Sequence, residues 1–309
     1  MKKQEALLFG KKFWVQLDIV EKILMKKTGL NKSQFFLSDE LNLSENDLEE
    51  LKILFKKIAF GYPIEYALEN AEFYGLDFYV DKRCLIPRND TEIMVDEAIK
   101  EIKKVGNAGL HSLQYIDIWT GSGAIPISIV DNVWQYIYKV FAVDISEDAL
   151  EIAKKNIKSH NLVDKIKLLK SDLLENIGQT QGLPLQESRG VPCVHPNYVI
   201  TANLPYIKNE DFWNMDKDVI LHEPSVALYW WEKTGFELYE KLIMQIIDSP
   251  LLDKRRTGGE VIILFIEIWF DQKEYAVNYL NNKNLNFDIF KDNWGVERCV
   301  KIEFCNLLK

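Results

Sequence analysis

Hydrophobic and polar positions change period along the chain. In WVQLDIVEKILMKK (14–27), Leu17, Val20 and Leu24 recur three and four residues apart, with Ile23 and Trp14 widening the stripe. That spacing predicts an amphipathic helix. SENDLEELKILFKKIAF (44–60) repeats the pattern, with Ser44 as N-cap and Asp47 at the capping-box position. Residues 61–92 lose this period and are rich in aromatic and turn residues, which predicts a loop and hairpin. Helical spacing returns over 90–105. From 114 onward short apolar runs alternate with helical ones. The predicted strands are 114–119, 139–144, 165–172, 197–204 and 260–268, and 287–292 with 297–304 reads as a terminal antiparallel pair. SEDALEIAKKNIKSHN (146–161) is the clearest intervening helix, with Ser146 as cap, acids in its first turn and lysines after them. Strand–helix alternation implies an α/β domain whose parallel sheet is covered on both faces. Residues 177–196, polar and punctuated by Gly and Pro, read as a flexible insertion.

Composition narrows the class. Of 309 residues, 47% are hydrophobic and 28% charged, as in an ordinary soluble protein. The N-terminus shows no sustained apolar segment of a secretory signal, and the apolar run 261–270 is too short to span a bilayer and contains Glu267. A cytoplasmic location is the expectation. Cys84, Cys193, Cys299 and Cys305 form no C-x-x-C pair, and His111, His160, His195 and His222 have no metal-ligand spacing, so no metal site is expected. The net charge of −9 disfavours a partner such as bulk nucleic acid. Residues 1–60 carry 11 Lys/Arg against 9 Asp/Glu, which leaves 27 against 38 for the remainder. Any basic recognition surface is therefore expected towards the N-terminus.

Ligands of such sheets sit beyond the carboxyl ends of the strands, and four of those ends carry suggestive residues. In DIWTGSGA, Gly121 and Gly123 allow close backbone approach and the next helix offers its N–H groups. Asp144, which ends FAVD, suits the paired hydroxyls of a ribose; its other reading is a carboxylate capping the following helix. Asp172 in KSDLL can accept from an adenine amino group while Leu173 covers the ring; a solvated strand-end acid is the plain alternative. In TANLPYI, Asn203 offers an amide oxygen, Leu204 a backbone carbonyl ahead of the rigid Pro205, and Tyr206 a flat face. Two acceptors and a ring grip a planar –NH2 group and aim its delocalised lone pair at an electrophile.

In this order the residues resemble the class I S-adenosylmethionine-dependent methyltransferases, and more narrowly the peptide chain release factor glutamine N5-methyltransferases. The resemblance covers nearly the whole chain. GYPIEYALENAEFYGLDFYVDKRCLIPRNDTE (61–92) is similar to the family's linker signature, its L-I-P-R-x-x-T-E element being Leu85 to Glu92, and EPSVAL (223–228) and FIEIWFDQ (265–272) match further segments. The resemblance implies a helical substrate-recognition domain over 1–75, a hairpin-like linker over 76–92 and a seven-stranded, Rossmann-like methyltransferase domain over 93–309. It implies S-adenosylmethionine as cofactor. Trp119, Thr120, Gly121, Ser122 and Gly123 would line its methionine part, Asp144 its ribose, and Asp172 with Leu173 its adenine. Asn203, Leu204, Pro205 and Tyr206 would hold a release-factor glutamine, with Asn203, Pro205 and Tyr206 as the catalytic set and Asn203 also touching the cofactor. Leu204 stands where the family has proline. N-L-P-Y is also typical of rRNA adenine N6-dimethyltransferases, which leaves an RNA adenine N6-methyltransferase as the alternative.

Trp119 stands where the family's first motif, D-x-G-x-G-x-G, has glycine. Trp230 and Trp231 fall on a family Gly-Gly pair, Trp269 on another glycine, and Glu69 on a frequent linker glycine. Glycine itself is scarce, 15 residues or about 5% against a usual ~7%. Four of eight tryptophans on motif glycines suggest one common cause: UGA codons read as glycine in the source organism and translated here as tryptophan. The rival explanation is a genuine relative that binds without catalysing. Peptide mass spectrometry of the native protein separates the two; glycine is expected at 119, 230, 231 and 269, and tryptophan at 119 rejects recoding.

Overall fold

The computed structural model describes residues 1–107, 113–177, 197–208, 211, 217–228, 233–249 and 262–304. The N-terminal segment is helical: α1 (Lys3–Lys11), α2 (Leu17–Thr28), α3 (Lys32–Leu37), α4 (Glu45–Ala59) and α5 (Ile64–Leu68). The α4 cap is the expected one, with Ser44 Oγ accepting the Asp47 N–H and Asp47 reaching back to the Ser44 N–H. These helices enclose a core of their own, built on Val20, Leu24, Phe35, Leu51 and Phe55. The stripe expected for α2 is corrected in two places. Leu17 is half-exposed, and Trp14 lies before the helix, 94% exposed, with φ 63°; Val20, Ile23 and Leu24 form the buried face. The chain turns left-handed at Trp14, which carries its side chain off the stripe.

A short hairpin follows, β1 (Ala71–Phe73) and β2 (Leu76–Phe78), so the expected domain boundary at residue 75 falls in its turn. Next come α6 (Glu92–Asn107), β3 (Gln114–Ile118), α7 (Ala124–Val133), β4 (Lys139–Asp144), α8 (Glu147–Ser159), β5 (Ile166–Lys170) and β6 (Tyr198–Ala202). The short α9 (Lys217–His222) and α10 (Ser225–Leu228) lead to α11 (Glu237–Ile247), β7 (Ile262–Glu267), α12 (Lys273–Asn282), β8 (Asn286–Lys291) and β9 (Glu297–Phe304). Among the described residues, β3 to β9 form a seven-stranded sheet in the order β5-β4-β3-β6-β7-β9-β8, with β9 antiparallel to both of its neighbours. This is the sheet that the resemblance implied. The insertion expected at 177–196 lies outside the described residues from 178 on.

The period-2 pattern of the strands sorts two cores. Tyr115, Val140, Ala142, Val199 and Phe265 face α6 and α7, while Ile116, Ile118, Val143, Ile200, Leu264 and Ile266 face α11 and α12. Burial on both faces explains why β3, β6 and β7 read as unbroken apolar runs. Strand order reverses between β3 and β6: the chain builds outward from β3 to β5, then returns to β3's other side. A crevice opens at such a reversal. No helix among the described residues is long and apolar enough to cross a membrane.

One buried acid interrupts β3. Asp117 Oδ1 accepts the Thr201 hydroxyl at 2.5 Å, and the Tyr115 hydroxyl meets that Thr201 oxygen at 2.7 Å. Burial is the main reason its pKa rises to about 7, with Thr201 opposing. An unfolded aspartate titrates near ~3.9. The folded chain therefore keeps a proton here that the unfolded chain has released, and this contribution to stability is present below about pH 4 and lost as pH rises through 7. Stability should fall by about 2–4 kcal/mol from this group across that window. Urea denaturation at pH 5 and pH 8 checks it: the parent loses stability with rising pH and Asp117→Asn loses less, whereas equal slopes reject the assignment.

Candidate active site

The site forms where β3, β4, β6 and β7 end. The β3 strand stops at Ile118, one residue short of the expected 119, because Trp119 turns left-handed at φ 64°. Gly121 and Gly123 continue the turn at φ 55° and 81°. A Cβ on Gly123 would stand 3.4 Å from Ala153 Cβ of α8, so this glycine serves both the turn and helix packing. Asp144 holds the loop in place: its Oδ2 accepts the Gly121 N–H and its Oδ1 the Ser146 N–H, each at 2.9 Å. Burial raises the Asp144 pKa to about 6 against the opposing backbone N–H donors. Asn156 of α8 braces the loop from behind, donating to the Ser122 carbonyl at 2.8 Å and to the Tyr79 carbonyl at 2.9 Å.

Trp119, Thr120, Gly121, Ser122, Asp144 and Asn203 line one cavity together with linker residues that include Arg83, Leu85 and Thr91. Its volume is about 60 Å³, well below the ~300–1,000 Å³ of small-molecule sites. The indole that lines it is the bulkiest side chain a protein can place there, and it is 8% exposed. An L-residue in the left-handed region is also strained by roughly 1–2 kcal/mol. Trp269, by contrast, is absent from the positive-φ positions, so its backbone does not call for glycine. Trp230 and Trp231 lie outside the described residues.

A second cleft of about 910 Å³ adjoins the first, lined by Asn203, Leu204, Tyr206, Asp90, Glu267 and Trp269 among others. Asn203 lines both, as do Leu85, Pro87, Arg88 and Ala227, so it belongs to the wall they share. Its Nδ2 donates to Thr91 Oγ1 at 3.2 Å. The Tyr206 hydroxyl donates to Glu267 Oε1 at 2.8 Å, and the ring stacks on Trp269 with centroids 5.5 Å apart. Burial and the neighbouring Glu267 carboxylate hold the Tyr206 phenol far above its usual pKa. Burial likewise raises Glu267, opposed by Thr91, Tyr206 and Arg298.

Not every expected residue reaches these cavities. Asp172 pairs with Lys241 of α11 at 2.7 Å, and Leu173 is fully buried in the core at φ 52°; neither lines the cofactor-side cavity. The lysine draws the carboxylate aside, and the left-handed backbone turns leucine into the core. Gly123 packs against α8 instead of lining the cavity. Pro205 is buried and lines neither cavity. The Leu204 carbonyl accepts the Tyr239 hydroxyl at 3.4 Å, which leaves one of its two lone pairs for a ligand. Thr91, Asn156, Tyr239 and Glu267 were not identified as site residues. Two of them carried a visible signal: Thr91 as the threonine of the L-I-P-R-x-x-T-E element, and Glu267 as a charge within an otherwise apolar strand, which is rarely buried without a task.

No family model matches the chain. Release factor glutamine methyltransferase of Flavobacterium psychrophilum is 31% identical over 280 residues, which cover 89% of this chain and 87% of that protein. The protein of the same name from Dictyoglomus turgidum is 31% identical over 279 residues, 88% of this chain and 86% of its own. Among solved structures, the hMettl16 catalytic domain in complex with MAT2A 3'UTR hairpin 6 matches with a TM-score of 0.50 over 88% of this chain and 85% of that one. At 14% identity it bears on the fold alone, that of a class I methyltransferase. Identity of this level, sustained over nearly the full length of both chains, places the protein: it belongs to the release factor glutamine methyltransferase family.

Proposed function

We propose that this chain transfers a methyl group from S-adenosylmethionine to the side-chain amide nitrogen of a glutamine in a peptide chain release factor. One observation carries the reading: Asn203 borders both the Asp144 cavity and the larger cleft, with Nδ2 bonded to Thr91. Its Oδ1 has no partner among the described residues.

The donor chemistry suits the cofactor, although the volume beside Trp119 does not. Asp144 is a buried acceptor at the end of β4, the place from which a ribose is gripped. The turn at 119–123 brings backbone close to it, and α7 opens with its N–H groups facing the same end. When bound, S-adenosylmethionine supplies an electrophilic methyl carbon whose bond to sulfur breaks as the bond to nitrogen forms. The protein's part is orientation. Asn203 Oδ1 accepts one N–H of the substrate amide, the free lone pair of the Leu204 carbonyl accepts the other, and the Tyr206 ring covers the amide plane. Holding both hydrogens directs the nitrogen lone pair across the wall, and the surplus proton leaves to water after transfer. Asp172 and Leu173, engaged elsewhere, have no part in this account.

Trp119 opposes the same chemistry. A cavity of about 60 Å³ does not admit a nucleoside. The chain with tryptophan at 119 is therefore expected to bind cofactor poorly, and Trp119→Gly to bind it. Removing a buried indole costs about 3–5 kcal/mol and relieving the left-handed strain returns about 1–2. The variant should thus be about 1–4 kcal/mol less stable without ligand, yet gain heat of binding in calorimetry; no gain counts against the reading. Tritiated methyl transfer to purified release factors and to ribosomal RNA, with both proteins, tests the substrate. Label is expected in the release factor with the glycine variant, and Asn203→Ala should lower turnover on the order of 100-fold. Label confined to RNA overturns the assignment.

A further inference from the structure

Behind Asn203 runs a chain of three hydrogen bonds whose direction is set at its far end. Asn203 Nδ2 meets Thr91 Oγ1 at 3.2 Å, Thr91 Oγ1 donates to Glu267 Oε2 at 2.5 Å, and Glu267 Oε1 accepts the Tyr206 hydroxyl at 2.8 Å. Thr91 and Glu267 are 4% and 1% exposed. They come from the turn before α6 and the end of β7, 176 residues apart in the chain.

A hydroxyl has a single proton. With that proton committed to a carboxylate, the Thr91 oxygen has only lone pairs to offer Asn203. It therefore selects the amide nitrogen, and Oδ1 must lie on the opposite side, at the wall between the cavities. The two orientations of an asparagine amide have nearly the same shape, so sterics discriminate weakly between them. Were the amide turned over, an –NH2 group would face the –NH2 group of a glutamine, donor against donor. The direction is fixed at the far end because both Glu267 oxygens accept there, Oε2 from Thr91 and Oε1 from Tyr206.

We propose that Glu267 is a positioning residue that, through Thr91, determines which end of the Asn203 amide faces the reacting nitrogen, and that holds the Tyr206 ring with its other oxygen. This rests on the reading of Asn203 as the acceptor for a substrate amide. Glu267→Gln keeps the shape but puts a donor where one of two acceptors stood, so Thr91 or Tyr206 loses its anchor.

The test uses the full chain carrying Trp119→Gly. Glu267→Gln and Thr91→Val should each lower kcat on the order of 10–100-fold, and Glu267→Gln, whose position lines only the larger cleft, should keep the parent's calorimetric affinity for S-adenosylmethionine. Thr91→Ser restores the hydroxyl and should recover kcat to within about three-fold. A second readout needs no turnover. In protein labelled with 15N-asparagine, the Asn203 side-chain amide, assigned by its loss in Asn203→Ala, should exchange slowly in the parent and in Thr91→Ser and rapidly in Thr91→Val. Equal exchange in Thr91→Val and the parent, or equal turnover in Thr91→Val and Thr91→Ser, overturns the proposal. Absence of methylation in the parent itself tells against the glutamine reading, and amide exchange then decides the relay alone.

Discussion

The two hydrogen bonds made by Asp144 are the constraint on which the site depends. One oxygen holds the loop after β3 and the other the start of α8. Because β3 and β4 are paired in register from Gln114↔Lys139 to Ile118↔Val143, the ends of both strands arrive at the same level. A carboxylate at that level closes the loop onto the neighbouring strand. It does so at the cost of its own hydration, which is why its pKa climbs to about 6 with only backbone donors to offset burial.

On the other side of the switch point the same logic is applied with side chains. Glu267 has no backbone loop to hold; it gathers Thr91 from the linker and Tyr206 from the β6 loop. The linker thereby becomes part of the lining of both cavities, with Leu85, Arg88 and Thr91 contributing and Arg88 paired with Glu223. The hairpin is bound to the methyltransferase domain by Asn156, whose amide bonds both the N–H and the carbonyl of Tyr79 as well as the Ser122 carbonyl. One side chain thus couples the linker, α8 and the glycine turn.

Trp119 is the place where local and global demands conflict. The backbone after β3 is left-handed at Trp119 before it reaches Gly121, and that position is filled by a bulky residue that disfavours this conformation. The indole is buried in the core cluster that also holds Leu173 and Leu204, and it lines the Asp144 cavity. Trp14 has the same left-handed backbone in the N-terminal module but is exposed, at the edge of a separate surface cleft.

Much of this architecture was legible in the chain before any coordinates. The strands facing both cores announce themselves as apolar runs, the caps at Ser44 and Ser146 as short polar residues before acidic turns, and Asp144, Gly121 and Asn203 by standing at strand ends, because these signals are local and depend on one segment at a time. The partners that complete the site were not legible. Thr91 and Glu267 are separated by 176 residues, and the Asp172–Lys241 pair by 69. Whether a strand-end acid faces a ligand or a lysine depends on which helix packs beside it. By itself the sequence determined the elements, their alternation and the chemistry offered at each strand end. The tertiary structure decided which of those groups meet, since hydrogen bonds between distant segments arise only from the order in which the strands are laid down.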